Sequence, residues 1–287
     1  MTRDNEIRSE RLRPAAQPLV ARGIPGLGAT ARVVQGVSHE FRKLASAMPS
    51  LIAVREGTKT LRYGGASFEG HPGDMVVLPA HLTVDVGNRV TRSGRYVAEI
   101  LVFEPDFLLA RAAADPAATP RQPLRQPALL RCPPAALAQA FRAAADALSG
   151  DPPLPRAVIA HRLAEPVVWL GDLLNAVLLA PQTSMTERVR SILSADPARK
   201  WSAGAVARRV AASAPTLRRK LAVESTGFAE ILSDVRMTTA LTLIQTTAAP
   251  ISDVAAAVGY DSPSRFALRF RRRFGMAPTA IRGHQRG

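Results

Sequence analysis

The chain has 287 residues, 47% of them hydrophobic, and a formal charge of +15, which is enough apolar content for two ordinary domains and a balance that calls for a polyanionic partner. Its longest apolar stretch, residues 167–180, is broken by Asp172 and too short for a membrane span, and its start lacks a signal-type apolar run, so a cytoplasmic protein without membrane attachment is expected. A single cysteine, Cys132, excludes an intramolecular disulfide framework and a cysteine-rich zinc site.

Residues 1–20 are charged, proline-containing and aperiodic, and read as a disordered basic tail. A first domain is expected over residues 21–180. From about Val33 to Phe103 it carries short β-type runs such as Leu51-Ile52-Ala53-Val54, Met75-Val76-Val77-Leu78 and Tyr96 to Phe103. Gly and Pro signals separate them, which predicts a β-sandwich or small barrel. Gly23-Ile24-Pro25-Gly26-Leu27-Gly28 resembles a phosphate-cradling loop only superficially, because no strand precedes it and Pro25 interrupts it; it reads as a turn. Residues 115–134 read as a loop, followed by helices over about 134–148 and 155–179. The second helix has a broad apolar stripe, Val158, Leu163, Val167, Leu170, Leu174, Val177 and Leu178, suited to packing on the β-domain or to subunit pairing. Residues 181–185 form the expected linker.

From Thr183 onwards there are 17 Lys or Arg against 7 Asp or Glu, so the polyanion site is expected there. This part repeats itself at about 48 residues. Val206 to Ser213, Leu217, Leu221 and Gly227 correspond to Val254 to Ser262, Phe266, Phe270 and Gly275, with one extra residue in the second turn. Each copy reads as a short apolar helix, a turn and a basic helix. Ser213 and Ser262 are natural N-caps, Pro263 suits a first helical position, and Gly259 suits a tight reversal. Arg265 falls in a first helical turn, where a cation opposes the helix dipole unless an anion is bound nearby.

In a helix-turn-helix the start of the second helix faces base edges while flanking cations hold phosphates. The candidate DNA contacts are therefore Ser213, Thr216, Arg218, Arg219 and Lys220 in the first unit. In the second they are Ser262, Ser264, Arg265, Ala267, Leu268, Arg269, Arg271 and Arg272. Leu217, Leu221, Phe266 and Phe270 are assigned to the core by their spacing. A helix over about residues 228–247, with Phe228, Ile231, Leu232, Val235, Leu241 and Ile244 on its inner stripe, joins the units. Twenty helical residues span about 30 Å, close to the roughly 34 Å of one DNA turn. Arg236 on this helix is placed within reach of the backbone between the two grooves.

At these residues the chain resembles the AraC/XylS family of transcription regulators. Ile251, Val254-Ala255, Gly259-Tyr260, Ser262, Phe266, Phe270-Arg271, Phe274-Gly275, Pro278 and Arg282 stand at the spacing of the family signature, and Trp201, Ala207, Ser213, Leu217 and Arg219 fit the first unit. Leu268 departs from it, standing where many members carry a polar or basic residue. The resemblance implies an α+β chain, with an N-terminal cupin-like β-barrel and flanking helices followed by an all-α domain, residues 186–287, of two helix-turn-helix units joined by a long helix. It implies an activator of transcription that binds double-stranded promoter DNA as a monomer or homodimer and contacts RNA polymerase. It also implies a small-molecule effector or regulatory protein at the N-terminal domain, for which Gly57, Gly73-Asp74 and Leu78-Pro79 carry a weaker likeness. No cofactor, no metal and no catalytic role are expected, since His39, His71 and His81 are scattered without metal-ligand spacing. A non-sequence-specific architectural DNA-binding protein is the main alternative, and a metal-dependent cupin enzyme fused to a DNA-binding domain the lesser one.

Overall fold

The computed structural model describes residues 22–46, 48–114, 121–150, 152–178 and 184–281. The tail expected over residues 1–20 and residues 181–183 of the expected linker lie outside the described residues. Strands β1 (Arg22–Ile24) and β2 (Gly28–Gln35) form a hairpin, so the β-region begins about ten residues before the apolar pattern announces it. The glycine-rich stretch is the turn of that hairpin, with Gly26 at φ +77°. There follow β3 (His39–Ala45), β4 (Ser50–Glu56), β5 (Thr58–Tyr63), β6 (Ala66–Gly70), β7 (Met75–Leu78), β8 (Thr83–Arg89) and β9 (Tyr96–Phe103). Helix α1 (Pro105–Ala113) precedes two short strands, β10 (Gln122–Pro123) and β11 (Ala128–Leu130), in the region expected to be loop. Helices α2 (Ala135–Ser149) and α3 (Arg156–Leu174) come next. Helix α3 stops five residues short of its expected end because Asn175 turns left-handed at φ +46°, and the next strand, β12 (Ala176–Val177), pairs with β10 instead.

Two antiparallel sheets face each other, one in the order β1-β2-β9-β4-β7-β11 and one in the order β3-β8-β5-β6. Their inner faces meet through Val33, Ile52, Val76 and Ala98 on one side and Leu61, Val84 and Val86 on the other. The outer face of the larger sheet, with Leu51, Ala53, Val77, Leu101 and Phe103, packs on Phe107, Leu137, Phe141, Leu163 and Leu170 of α1–α3. Residues 51–54 therefore read as a continuous apolar run, since both faces of β4 are covered. Against that core α3 turns Leu163 and Leu170 inward and leaves Val158, Val168 and Leu173 between 38% and 49% exposed.

The remaining helices are α4 (Met185–Ser194), α5 (Ala203–Arg209), α6 (Ala214–Val223), α7 (Phe228–Thr246), α8 (Ile251–Ala257), α9 (Pro263–Phe274) and α10 (Pro278–Ile281). Helix α4 begins with a capping box in which the Ser184 hydroxyl accepts from Glu187 N and the Glu187 carboxylate accepts from Ser184 N, both at 3.0 Å. Helix α7 serves two cores. Its Ile231 and Val235 pack with Val189, Trp201, Val206, Leu217 and Leu221, whereas Met237, Ala240, Leu241 and Ile244 pack with Val254, Val258, Phe266, Phe270 and Phe274. The single inner stripe expected from sequence is thus two half-stripes on different sides of one helix, which is why α7 lacks one clear apolar face.

The two halves of the chain touch at β3. Phe41 is buried in the second helical core, edge-on to Phe274 at 5.8 Å between ring centres. The β3–β8 register slips between Phe41 and Leu44, and Lys43 there takes φ +52°. Such a bulge turns backbone groups out of the ladder, and the carbonyls of Arg42 and Lys43 accept from Arg273 at 2.8 and 2.5 Å.

Candidate nucleic-acid interface

Two helix-turn-helix units, α5–α6 and α8–α9, arise from the same local chemistry. In the first, Ala211 takes φ +54° and Ala212 N donates to Ala207 O; in the second, Gly259 takes φ +79° and Tyr260 N donates to Ala255 O. Each bond reaches back five residues, as in a Schellman cap, and satisfies a terminal carbonyl. Ser213 and Ser262 then cap the second helices, their hydroxyls accepting from Thr216 N at 3.3 Å and Arg265 N at 3.4 Å. The N-cap assignment made from sequence thus holds in both units, and Pro263 occupies the first turn of α9.

The two turns differ in how well they are served. A Cβ at Gly259 would lie 2.7 Å from the Ala198 carbonyl oxygen, so only glycine fits there. Ala211 is exposed yet holds a left-handed conformation that costs an L-residue about 1–2 kcal/mol. Replacing Ala211 by glycine is therefore expected to stabilise the protein by about 0.5–1 kcal/mol in chemical denaturation. A destabilised variant would mean that the alanine methyl makes a contact worth more than its strain.

Phe266 and Phe270 are turned inward along α9, and Leu217 and Leu221 along α6, as expected from spacing, and Phe274 is turned inward with them. Ser264, Arg265, Leu268, Arg269, Arg271 and Arg272 are consequently exposed, with Ala267 half-buried. On α6, Arg218, Arg219 and Lys220 are exposed and Thr216 is half-buried. A groove of about 410 Å³ runs along the start of α9, lined by Gly259, Tyr260, Ser262, Arg265, Leu268 and Arg272 among others.

Among the described residues, ion pairing divides the arginines into two kinds. Arg218, Arg219, Arg265, Arg269, Arg271 and Arg272, together with Lys220, have no carboxylate within salt-bridge distance. Arg190 and Arg273, by contrast, share Asp234, with shortest contacts of 2.7 and 2.8 Å. Arg236 donates from Nε to Pro197 O and from Nη2 to Arg199 O, both at 3.0 Å, and its guanidinium lies 5.7 Å from the Tyr260 ring centre. The structure thus gives Arg236 a bracing position between the units. Arg273, which sequence reasoning did not single out, stands in the last turn of α9 and faces the protein. The signal that could have found it is spacing, since Arg273 stands seven residues after Phe266 and three after Phe270, on the inner face of α9, whereas Arg271 and Arg272 do not.

A helix-turn-helix domain family matches residues 206–284. The transcriptional regulator SirC of Salmonella typhimurium is 42% identical over 95 residues, which cover 33% of this chain and 32% of SirC. The dual transcriptional regulator Rns of Escherichia coli is 29% identical over 106 residues, covering 37% of this chain and 40% of Rns. The chain therefore spans well under half the length of the curated relatives it matches. Over most of its length the fold is similar to that of ToxT from Vibrio cholerae, with a TM-score of 0.66, 12% identity, and coverage of 88% of this chain and 94% of ToxT. Residues 206–284 thus carry a helix-turn-helix domain similar in sequence to those of transcription regulators, within a chain whose fold is similar to that of ToxT.

Proposed function

We propose that the protein is a sequence-specific transcription regulator, and an activator, that lays α6 and α9 into successive major grooves of promoter DNA. The observation that carries this reading is the set of unpaired cations on the outward faces of two N-capped helices joined by the 19-residue α7. A helix of that length spans roughly 29 Å at 1.5 Å per residue, which suits two grooves on one side of a duplex. In this reading Thr216, Arg218, Arg219, Lys220, Ser264, Arg265, Leu268 and Arg269 face the bases and nearby phosphates, and Arg271 and Arg272 hold backbone. Ser213 and Ser262 present the helix starts, and Arg236 sets the relative orientation of the units.

We assign regulation to the N-terminal domain, residues 21–180, joined through residues 181–185 to a DNA-binding domain, residues 186–287. One ToxT structure holds an unsaturated fatty acid, and on that fold likeness we extend effector binding to this domain, with contact to RNA polymerase and a cytoplasmic location following from the regulator reading. Val158, Val168 and Leu173 on α3 support pairing of two copies. No catalytic role is assigned.

Selection of duplexes from a random pool by the full-length chain, at two salt concentrations, tests this reading. The expected product is a motif with two half-sites about one helical turn apart. Affinity that falls with salt but enriches no sequence would leave an architectural DNA-binding protein in its place.

A further inference from the structure

The two recognition helices differ at one position that the repeat makes equivalent. Counting from the caps Ser213 and Ser262 through the core pairs Leu217 with Phe266 and Leu221 with Phe270, Arg219 in α6 corresponds to Leu268 in α9. Leu268 lies midway between Phe266 and Phe270, so it points away from the core and is 54% exposed. Its exposed neighbours on α9 are Ser264, Arg265, Arg269, Arg271 and Arg272, and it lines the same groove as Arg265 and Arg272. An isolated exposed leucine is ordinary. One set among arginines, on the face presented to a polyanion, is not accounted for by phosphate attraction or by the core.

The major groove offers hydrogen-bonding edges at every base pair and a single apolar feature, the 5-methyl group of thymine. Arginine matches the paired acceptors O6 and N7 of guanine, whereas leucine can match the methyl and nothing else on a base edge. We propose that Leu268 reads the 5-methyl group of a thymine while Arg219 reads a guanine at the equivalent place in the other half-site. Two units of one fold then recognise unlike half-sites, which gives the operator a direction. The flanking Arg265 and Arg272, one turn to either side of Leu268, hold the helix close enough for the methyl contact to form.

This proposal rests on the DNA-binding reading, and the test separates the two. In a duplex enriched by the full-length protein, each thymine is replaced in turn by deoxyuridine, and each guanine by 7-deazaguanine, which lacks the N7 acceptor. Losing one methyl contact should weaken binding about four-fold, the effect of about one buried methyl(ene) group. That loss should occur at a thymine in one half-site only and disappear in the Leu268→Ala protein. The 7-deazaguanine penalty should fall in the opposite half-site and disappear in Arg219→Ala. If every thymine tolerates deoxyuridine while sequence-specific binding persists, the Leu268 assignment is overturned and the DNA-binding reading stands. An equal deoxyuridine penalty in wild type and Leu268→Ala overturns it as well. If no sequence is enriched at all, both fall.

Discussion

A Lys59→Met protein is expected to be more stable than the wild type at pH 6–7, by about 3 kcal/mol, and to lose that advantage near pH 10. Lys59 is buried between the two sheets, where its Nζ donates to Asn88 Oδ1 at 2.9 Å and Asn88 Nδ2 donates in turn to Gln35 Oε1 at 3.0 Å. Among the described residues no carboxylate pairs with it, and desolvation pushes its pKa down to about 7. An unfolded lysine keeps its proton up to roughly pH 10.4. Below pH 7 both states are charged and the folded state bears the whole burial cost, on the order of 5 kcal/mol. Between about pH 7 and 10 the unfolded chain binds the proton that the folded one has released, so stability rises with pH. Methionine removes the charge but leaves Asn88 Oδ1 without its donor, a loss of about 1–2 kcal/mol that trims the gain. Urea midpoints measured from pH 6 to 10 decide the matter. If wild type and variant change in parallel across that range, Lys59 is already paired or hydrated and the argument fails.

The same interior shows what a sequence reading can reach. Short apolar runs and the turn residues between them marked β4, β7 and β9, and helix-start chemistry located α6 and α9 with their caps, because both depend on neighbours a few residues away. The repeat paired Leu217 with Phe266 and Leu221 with Phe270, and both pairs lie in the helical cores. Long-range pairing was not legible. Asn175 in a left-handed turn, the β10–β12 pair between residues 122 and 177, and the bulge at Lys43 depend on partners distant in the chain. The two half-stripes of α7 were read as one because periodicity reports that apolar residues recur, not that they belong to different cores. Among the arginines, composition marked a basic surface and helical spacing sets Arg273 on the inner face of α9, but the division into those facing outward and those bound to Asp234 or to backbone carbonyls rests on partners distant in the chain.

That division makes Asp234 the residue whose loss should be felt most widely. Its carboxylate accepts from Arg190 Nη1 of α4 at 2.7 Å through Oδ2, and from Arg273 Nε and Nη2 of α9 at 3.1 and 2.8 Å through Oδ1. Arg273 extends the chain of contacts to the Arg42 and Lys43 carbonyls of β3. One carboxylate on α7 thus ties the first unit, the second unit and the N-terminal domain together. Asp234→Ala leaves two guanidinium groups, 13% and 23% exposed, facing each other without an anion. Breaking a buried pair costs about 3–5 kcal/mol, and partial exposure places this case near the lower end, at about 3 kcal/mol. Asp234→Asn keeps the shape and two acceptor lone pairs but not the charge, and should lose about half as much. In Arg273→Lys a single ammonium cannot span Asp234 and both carbonyls, so the β3 contact should loosen while the pair between Arg190 and Asp234 survives. Amide exchange at Arg42 and Lys43 should then rise without a comparable change in α4. Calorimetry of Asp234→Ala should show the helical units and the β-domain melting apart where the wild type melts together. A single transition shifted by less than about 0.5 kcal/mol would mean that Phe41 against Phe274, and not the charged triad, holds the halves in register.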